Sequence, residues 1–122
     1  MTDIKKAFEN GKAFIPFVTA GDPDLDTTRE LILAMQEAGA DLIELGIPFS
    51  DPVAEGVVIQ RANERALAAG CTIDRIFDML RSLNGDVHVP LVFLTYINPI
   101  VVYGAEKFMR HCQETGISGV II

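Results

Sequence analysis

Basic residues are scarce: ten Lys and Arg stand against seventeen Asp and Glu, a formal net charge of −7 over 122 residues. That shortage argues against nucleic acid or an anionic membrane as the main partner, since both are met by clustered Lys and Arg. It leaves room for a small anionic substrate, which needs only a local site. Cysteine is equally sparse. Cys71 and Cys112 lie far apart and share no metal-like spacing with His88 or His111. The expectation is therefore two reduced thiols in a cytoplasmic protein, with no bound metal. The first eleven residues carry Asp3, Lys5, Lys6 and Glu9 and lack the apolar stretch of a secretory signal. No apolar run is long enough to span a membrane. Also missing are linkers, charge blocks and low-complexity tracts, so residues 1–122 read as one domain. A Gly-rich phosphate loop, a Walker sequence, a Rossmann fingerprint and zinc spacing are absent too.

What is present is a hydrophobic content of 49% with 22% charged residues, the balance of a folded globular protein able to bury a core. Short apolar runs at Ala13–Thr19, Asp41–Gly46, Pro90–Tyr96 and Gly119–Ile122 read as buried parallel strands. Longer segments with helical periodicity lie between them. Thr27–Ala38 places Leu31, Ala34, Met35 and Ala38 on one face, with Asp24 or Asp26 as a cap and Gly39 as the stop. Val58–Ala69 and Ile73–Leu83 are two successive helices separated by Gly70, the second capped by Thr72. Glu106–Thr115 lies between Gly104 and Gly116, and a short polar helix near Asp3–Glu9 precedes everything. Strand–helix alternation of this regularity predicts a parallel sheet with right-handed crossovers. The sequence stops at Val120-Ile121-Ile122, within or just after the fourth strand. A full barrel takes about 250 residues and eight strands, so the expectation is half of one. Whether four strands keep a barrel's curvature or flatten into a flavodoxin-like sheet stays open.

Chemistry gathers around the second run. Period-two alternation puts Leu42, Glu44 and Gly46 on one face and Ile43 and Leu45 on the other. If the apolar pair packs on helices, Glu44 points into the barrel near the C-terminal end of its strand. Two readings are open there: a buried Glu satisfied by a hydroxyl or backbone group, or a catalytic acid. The long connection that follows, Ile47–Gly56, is stiffened by Pro48 and Pro52 and carries Asp51 and Glu55. Those two are either solvated loop charges or, for Glu55, the partner of Glu44 in paired proton chemistry. The third run ends in Thr95-Tyr96-Ile97-Asn98-Pro99, where Tyr96 walls an apolar pocket or simply joins the core. The first ends in Thr19-Ala20-Gly21-Asp22-Pro23, a turn at the same rim. His88 precedes the third strand, at the end of a barrel that serves stability.

Three stretches resemble the tryptophan synthase α subunit family, in family order. They are Pro16–Pro23 (PFVTAGDP), Gly39–Ala54 (GADLIELGIPFSDPVA) and Thr95–Pro99 (TYINP). The resemblance implies the N-terminal half of a (β/α)₈ TIM barrel, with an N-terminal helix and an extra helix after strand two. It also implies a lyase that cleaves indole-3-glycerol phosphate to indole and glyceraldehyde 3-phosphate in a retro-aldol reaction. Glu44 matches the family's acid/base position. Glu55 aligns with the carboxylate that accepts the indole N–H, where well-known members carry Asp, and Val57 replaces a common Pro. Phe17, Ile59, Leu94 and Tyr96 match positions lining the indole pocket. Asp51, Pro52 and Asn98 match loops pressed against a β subunit in an α2β2 complex. No cofactor is implied for this chain, pyridoxal phosphate belonging to the β subunit. The phosphate anchor and the mobile lid belong to the other half of such a barrel, so these residues alone are expected to be inactive. The alternative is a non-catalytic half-barrel that self-associates through open strand edges or docks on a β subunit and modulates it. Another phosphate-sugar barrel is a third reading, which the Pro48–Ala54 loop disfavours.

Overall fold

Leu, Ile, Val and Phe fill four short runs that pair side by side in a computed structural model describing residues 2–122. The strands are β1 (Phe17–Thr19), β2 (Ile43–Gly46), β3 (Leu91–Leu94) and β4 (Gly119–Ile121). All three pairings are parallel and the order is β1-β2-β3-β4. A 3₁₀ helix (Ile4–Phe8) leads in, and five α-helices connect the strands. These are α1 (Leu25–Glu37), α2 (Val57–Ala68), α3 (Ile73–Ser82), α4 (Ile97–Tyr103) and α5 (Ala105–Thr115). Two of them start on side-chain caps. Asp24 Oδ1 accepts the Thr27 N–H at 2.7 Å, and Thr72 Oγ1 accepts the Arg75 N–H at 3.2 Å. The hydrogen bonds from Thr27 hold the Asp24 carboxyl below its ordinary value.

One face of the sheet packs on helices. Ile43, Leu45 and Phe93 are fully buried there with Ile32, Ile76, Phe77 and Phe108. Phe77 sits at the centre, its ring 5.8 Å from Phe93 and 5.7 Å from Phe108, both edge-on. Edge-to-face pairs of this kind add about 0.5–1.5 kcal/mol beyond the apolar area they bury. The strand register sets the opposite face in two layers. Phe17, Glu44, Val92 and Gly119 stand level, and Thr19, Gly46, Leu94 and Ile121 stand level one step nearer the strands' C-terminal ends. The 3₁₀ helix covers the lower end of this face, where Ile4 and Ala7 meet Leu42 and Val92.

Three features depart from the sequence reading. The strands are shorter than the apolar runs, and residues 13–15 are not strand. Helix α1 turns Thr28 and Ile32 to the core, while Leu31, Ala34 and Ala38 are exposed. Thr28 earns that place by accepting the Gly21 N–H at 3.0 Å and donating to the Asp24 carbonyl, so a count of apolar residues misses the face. Lastly, α4 follows β3 directly. Tyr96 is its extended N-cap and Pro99 its third residue, a position whose N–H has no intrahelical partner in any helix. Pro99 therefore marks a helix start.

Candidate active site

Glu44 is carried by β2, whose outward residues Ile43 and Leu45 are completely buried against helices. That burial fixes the strand's rotation, and alternation then turns Glu44 to the inner face, half-buried between Phe17 and Val92. No hydrogen bond or ion pair within the described residues engages its carboxylate. Two residues on, Gly46 leaves a gap that Phe17 fills. A Cβ at position 46 would lie 2.6 Å from Phe17 Cζ. The Phe17 ring thus rests across the strand end just above Glu44.

The loop between β2 and α2 is held from the N-cap of α4, just past the end of β3. Tyr96 Oη accepts the N–H groups of Val53 and Ala54, each at 3.1 Å, and the Tyr96 ring packs on Phe49 at 5.3 Å. Glu55 follows immediately. Its carbonyl accepts from Gln60 Nε2 at 3.0 Å, and its Oε2 accepts from Asn63 Nδ2 at 2.9 Å. Beside it opens a mainly apolar cavity of about 510 Å³, lined by Ile47, Glu55, Leu94, Tyr96, Ile97 and Ile121 among others. A cavity of that size suits a flat aromatic ligand, with one carboxylate at its wall to orient a polar edge.

The structure brings Glu55, Leu94 and Tyr96 to one cavity. Glu44 and Phe17 lie on the same inner face but do not line it, and neither does Ile59, half-buried in the first turn of α2. Asp51 is exposed and accepts from Ser50 Oγ at 2.9 Å; Pro52 is half-buried and Asn98 exposed. Asp22 reaches the rim but is engaged by Arg65 through two bonds of 2.8 and 2.9 Å. His88 is exposed at the far end of the sheet, its N–H donated to Gln36 Oε1. Cys71 and Cys112 are unpaired and buried, and burial pushes their thiols up to about 11 and about 12. Among the described residues no three His, Cys, Asp or Glu side chains gather to hold a metal ion, and no helix is long and apolar enough to cross a membrane. Sequence reasoning missed Asn63, Gln60 and Thr19. The last is a buried hydroxyl on the inner face without a hydrogen-bond partner. For Gln60 and Asn63 the only available signal was their spacing of three on a helix that starts beside Glu55.

The family model described as tryptophan synthase alpha chain matches residues 4–122. The chain belongs to the tryptophan synthase α-chain family. A tryptophan synthase alpha chain of Alkaliphilus metalliredigens is 58% identical over 111 residues, covering 91% of this chain and 42% of that protein. One from Bacillus thuringiensis is 50% identical over 120 residues, covering 98% and 46%. The chain thus spans less than half the length of these curated relatives. Among solved structures, the tryptophan synthase α subunit of Legionella pneumophila superposes with a TM-score of 0.93 at 42% identity, over 100% of this chain and 49% of that one. The α2β2 tryptophan synthase complex of Pyrococcus furiosus gives 0.85 at 39% identity, over 90% and 45%. The four strands therefore keep the curvature of half a tryptophan synthase α barrel and do not flatten.

Proposed function

We propose that this chain carries the proton-transfer side of a tryptophan synthase α-type lyase site, within a single (β/α)₄ unit spanning residues 1–122. The substrate is indole-3-glycerol phosphate. Protonation at indole C3 makes the ring an electron sink. Loss of the side-chain hydroxyl proton then breaks the carbon–carbon bond, the electron pair returns to the ring, and indole and glyceraldehyde 3-phosphate separate. Glu44 moves these protons, and Glu55 accepts the indole N–H and balances charge developing on the ring. Leu94 and Tyr96 wall the cavity that takes the ring, and Phe17 and Ile59, outside its lining in residues 2–122, are the further ring contacts that the family resemblance implies. The observation that carries the reading is a carboxylate without a partner, turned inward on β2 one layer below Leu94 and Ile121, which line an apolar cavity with a second carboxylate at its wall. No cofactor enters this chemistry; pyridoxal phosphate belongs to the β subunit.

The partner is a β subunit that docks over Asp51, Pro52 and Asn98. Exposed apolar side chains on the same two segments support it, notably Val53 and Val102, at 86% and 88% exposure. The two unpaired cysteines fit a reducing cytoplasm. By themselves residues 1–122 turn over no substrate, because the phosphate anchor of such barrels follows strands seven and eight.

The test joins residues 1–122 to the C-terminal remainder of the Alkaliphilus relative and measures indole release. Activity is expected, with Glu44→Gln lowering kcat by about 10²–10⁴-fold, the usual contribution of a general acid or base. A folded chimera without activity would sink the lyase reading; near-normal turnover by Glu44→Gln would sink that residue's role. A second reading, self-association of a non-catalytic half-barrel, draws on β1 and β4, each paired on one side only, and on exposed Phe14 and Ile122. Light scattering on the eluting peak of a size-exclusion column decides it, since a stable monomer excludes self-pairing.

A further inference from the structure

Gln60 and Asn63 lie three residues apart on α2 and share the helix face that meets the preceding loop. Both reach back to one residue. Gln60 fixes the main chain of Glu55 through its carbonyl, and Asn63 fixes the side chain through Oε2. Asn63 is only 3% exposed, although an amide is costly to bury without its hydrogen bonds. Glu55 Oε1 has no hydrogen-bond partner among the described residues, and Glu55 lines the apolar cavity.

We propose that Asn63 is a positioning residue: it captures Glu55 Oε2 so that Oε1 is left facing the cavity as the acceptor for the substrate's ring N–H. This rests on the role proposed for Glu55 above. A glutamate side chain has one more rotatable bond than aspartate, and untethered it would spread over several staggered rotamers. The anchor selects one of them. Gln60 and the Tyr96 bonds to Val53 and Ala54 hold the backbone on either side, so the extra methylene is spent in reaching Asn63 and not in free motion.

Two measurements test it. In the 122-residue chain, the Asn63 side-chain amide protons should shift with pH as a neighbouring carboxyl titrates, and Glu55→Gln should abolish that response. Amide signals indifferent to both would overturn the proposal. In the chimera with the Alkaliphilus C-terminal remainder, Asn63→Ala should lower kcat about tenfold with KM within twofold. Misplacing a catalytic group by about 1 Å can cost on the order of 10²-fold. Asn63→Asp, of equal size, should also move the acid limb of the kcat–pH profile upward, because two adjacent carboxyls then share a proton. A merely structural asparagine would leave that limb in place, and an unmoved limb overturns the proposal. So does a raised KM at unchanged kcat. An inactive parent chimera would count against the lyase reading, while the amide titration would still judge the anchor.

Discussion

Replacing Tyr96 by Phe removes one oxygen and nothing else, which isolates the hold that the α4 N-cap has on the loop before Glu55. Phe keeps the ring contact with Phe49 at 5.3 Å, but the N–H groups of Val53 and Ala54 lose their acceptor. A typical intramolecular hydrogen bond is worth about 0.5–1.5 kcal/mol net. Two would give about 1–3 kcal/mol, and their exposure to water discounts this to about 1–2 kcal/mol. In equilibrium terms the loop should open about 5- to 30-fold more often. Hydrogen–deuterium exchange followed residue by residue reads this directly. The amides of Val53 and Ala54 should exchange faster by that factor, while those of Ile43 and Leu45, in the paired interior of β2, stay as they were. Unchanged exchange at 53 and 54 would refute the reasoning, because it would mean the phenol oxygen carries no load. Acceleration spread equally over β2 would refute it differently, by showing that Tyr96 supports the sheet and not the loop.

Gly46→Ala places a methyl 2.6 Å from Phe17 Cζ and 2.9 Å from Cε2. The ring must move, at an expected cost of about 1–2 kcal/mol that thermal melting detects, and Phe17→Ala should relieve most of that cost in a double-mutant cycle. A second expectation concerns alkali. Burial raises the folded pKa of Cys71 from 9.0 to about 11 and that of Cys112 to about 12, so each favours the folded state most fully below pH 9. Stability is lost as pH climbs from 9 through those values, by up to about 1.4 kcal/mol per pH unit for each thiol. Denaturant midpoints from pH 8 to 11 should fall accordingly and fall less in Cys71→Ala/Cys112→Ala; an identical slope in that variant would refute the assignment.

The order of strands and helices was legible because buried parallel strands are apolar throughout and the connecting helices alternate with them. Glu44's direction was legible for a stronger reason. Ile43 and Leu45 cannot both be buried on the helix side unless Glu44 and Gly46 turn the other way. Caps at Asp24 and Thr72 followed from residue type and spacing. What escaped was decided by tertiary contact. The buried face of α1 depends on Thr28, whose polarity hides it from any hydrophobic count. Helix α4 was hidden because TYINP reads as a strand end until Pro99 is placed in a first helical turn. Asn63 joined the site only through the path of the Ile47–Gly56 loop, which folds back on the helix it feeds and leaves no local periodicity to read.

The bond between Ala54 and Tyr96 joins residues 42 positions apart, and the later one holds the earlier. Chain synthesis at about 5–20 residues per second puts roughly 2–8 s between them. During that interval the segment carrying Glu55 exists without the tyrosine that fixes it, and Asn63, eight residues on, can tether the carboxylate but not the loop. The site is therefore assembled against the direction of the growing chain, from α2 first and from the start of α4 afterwards.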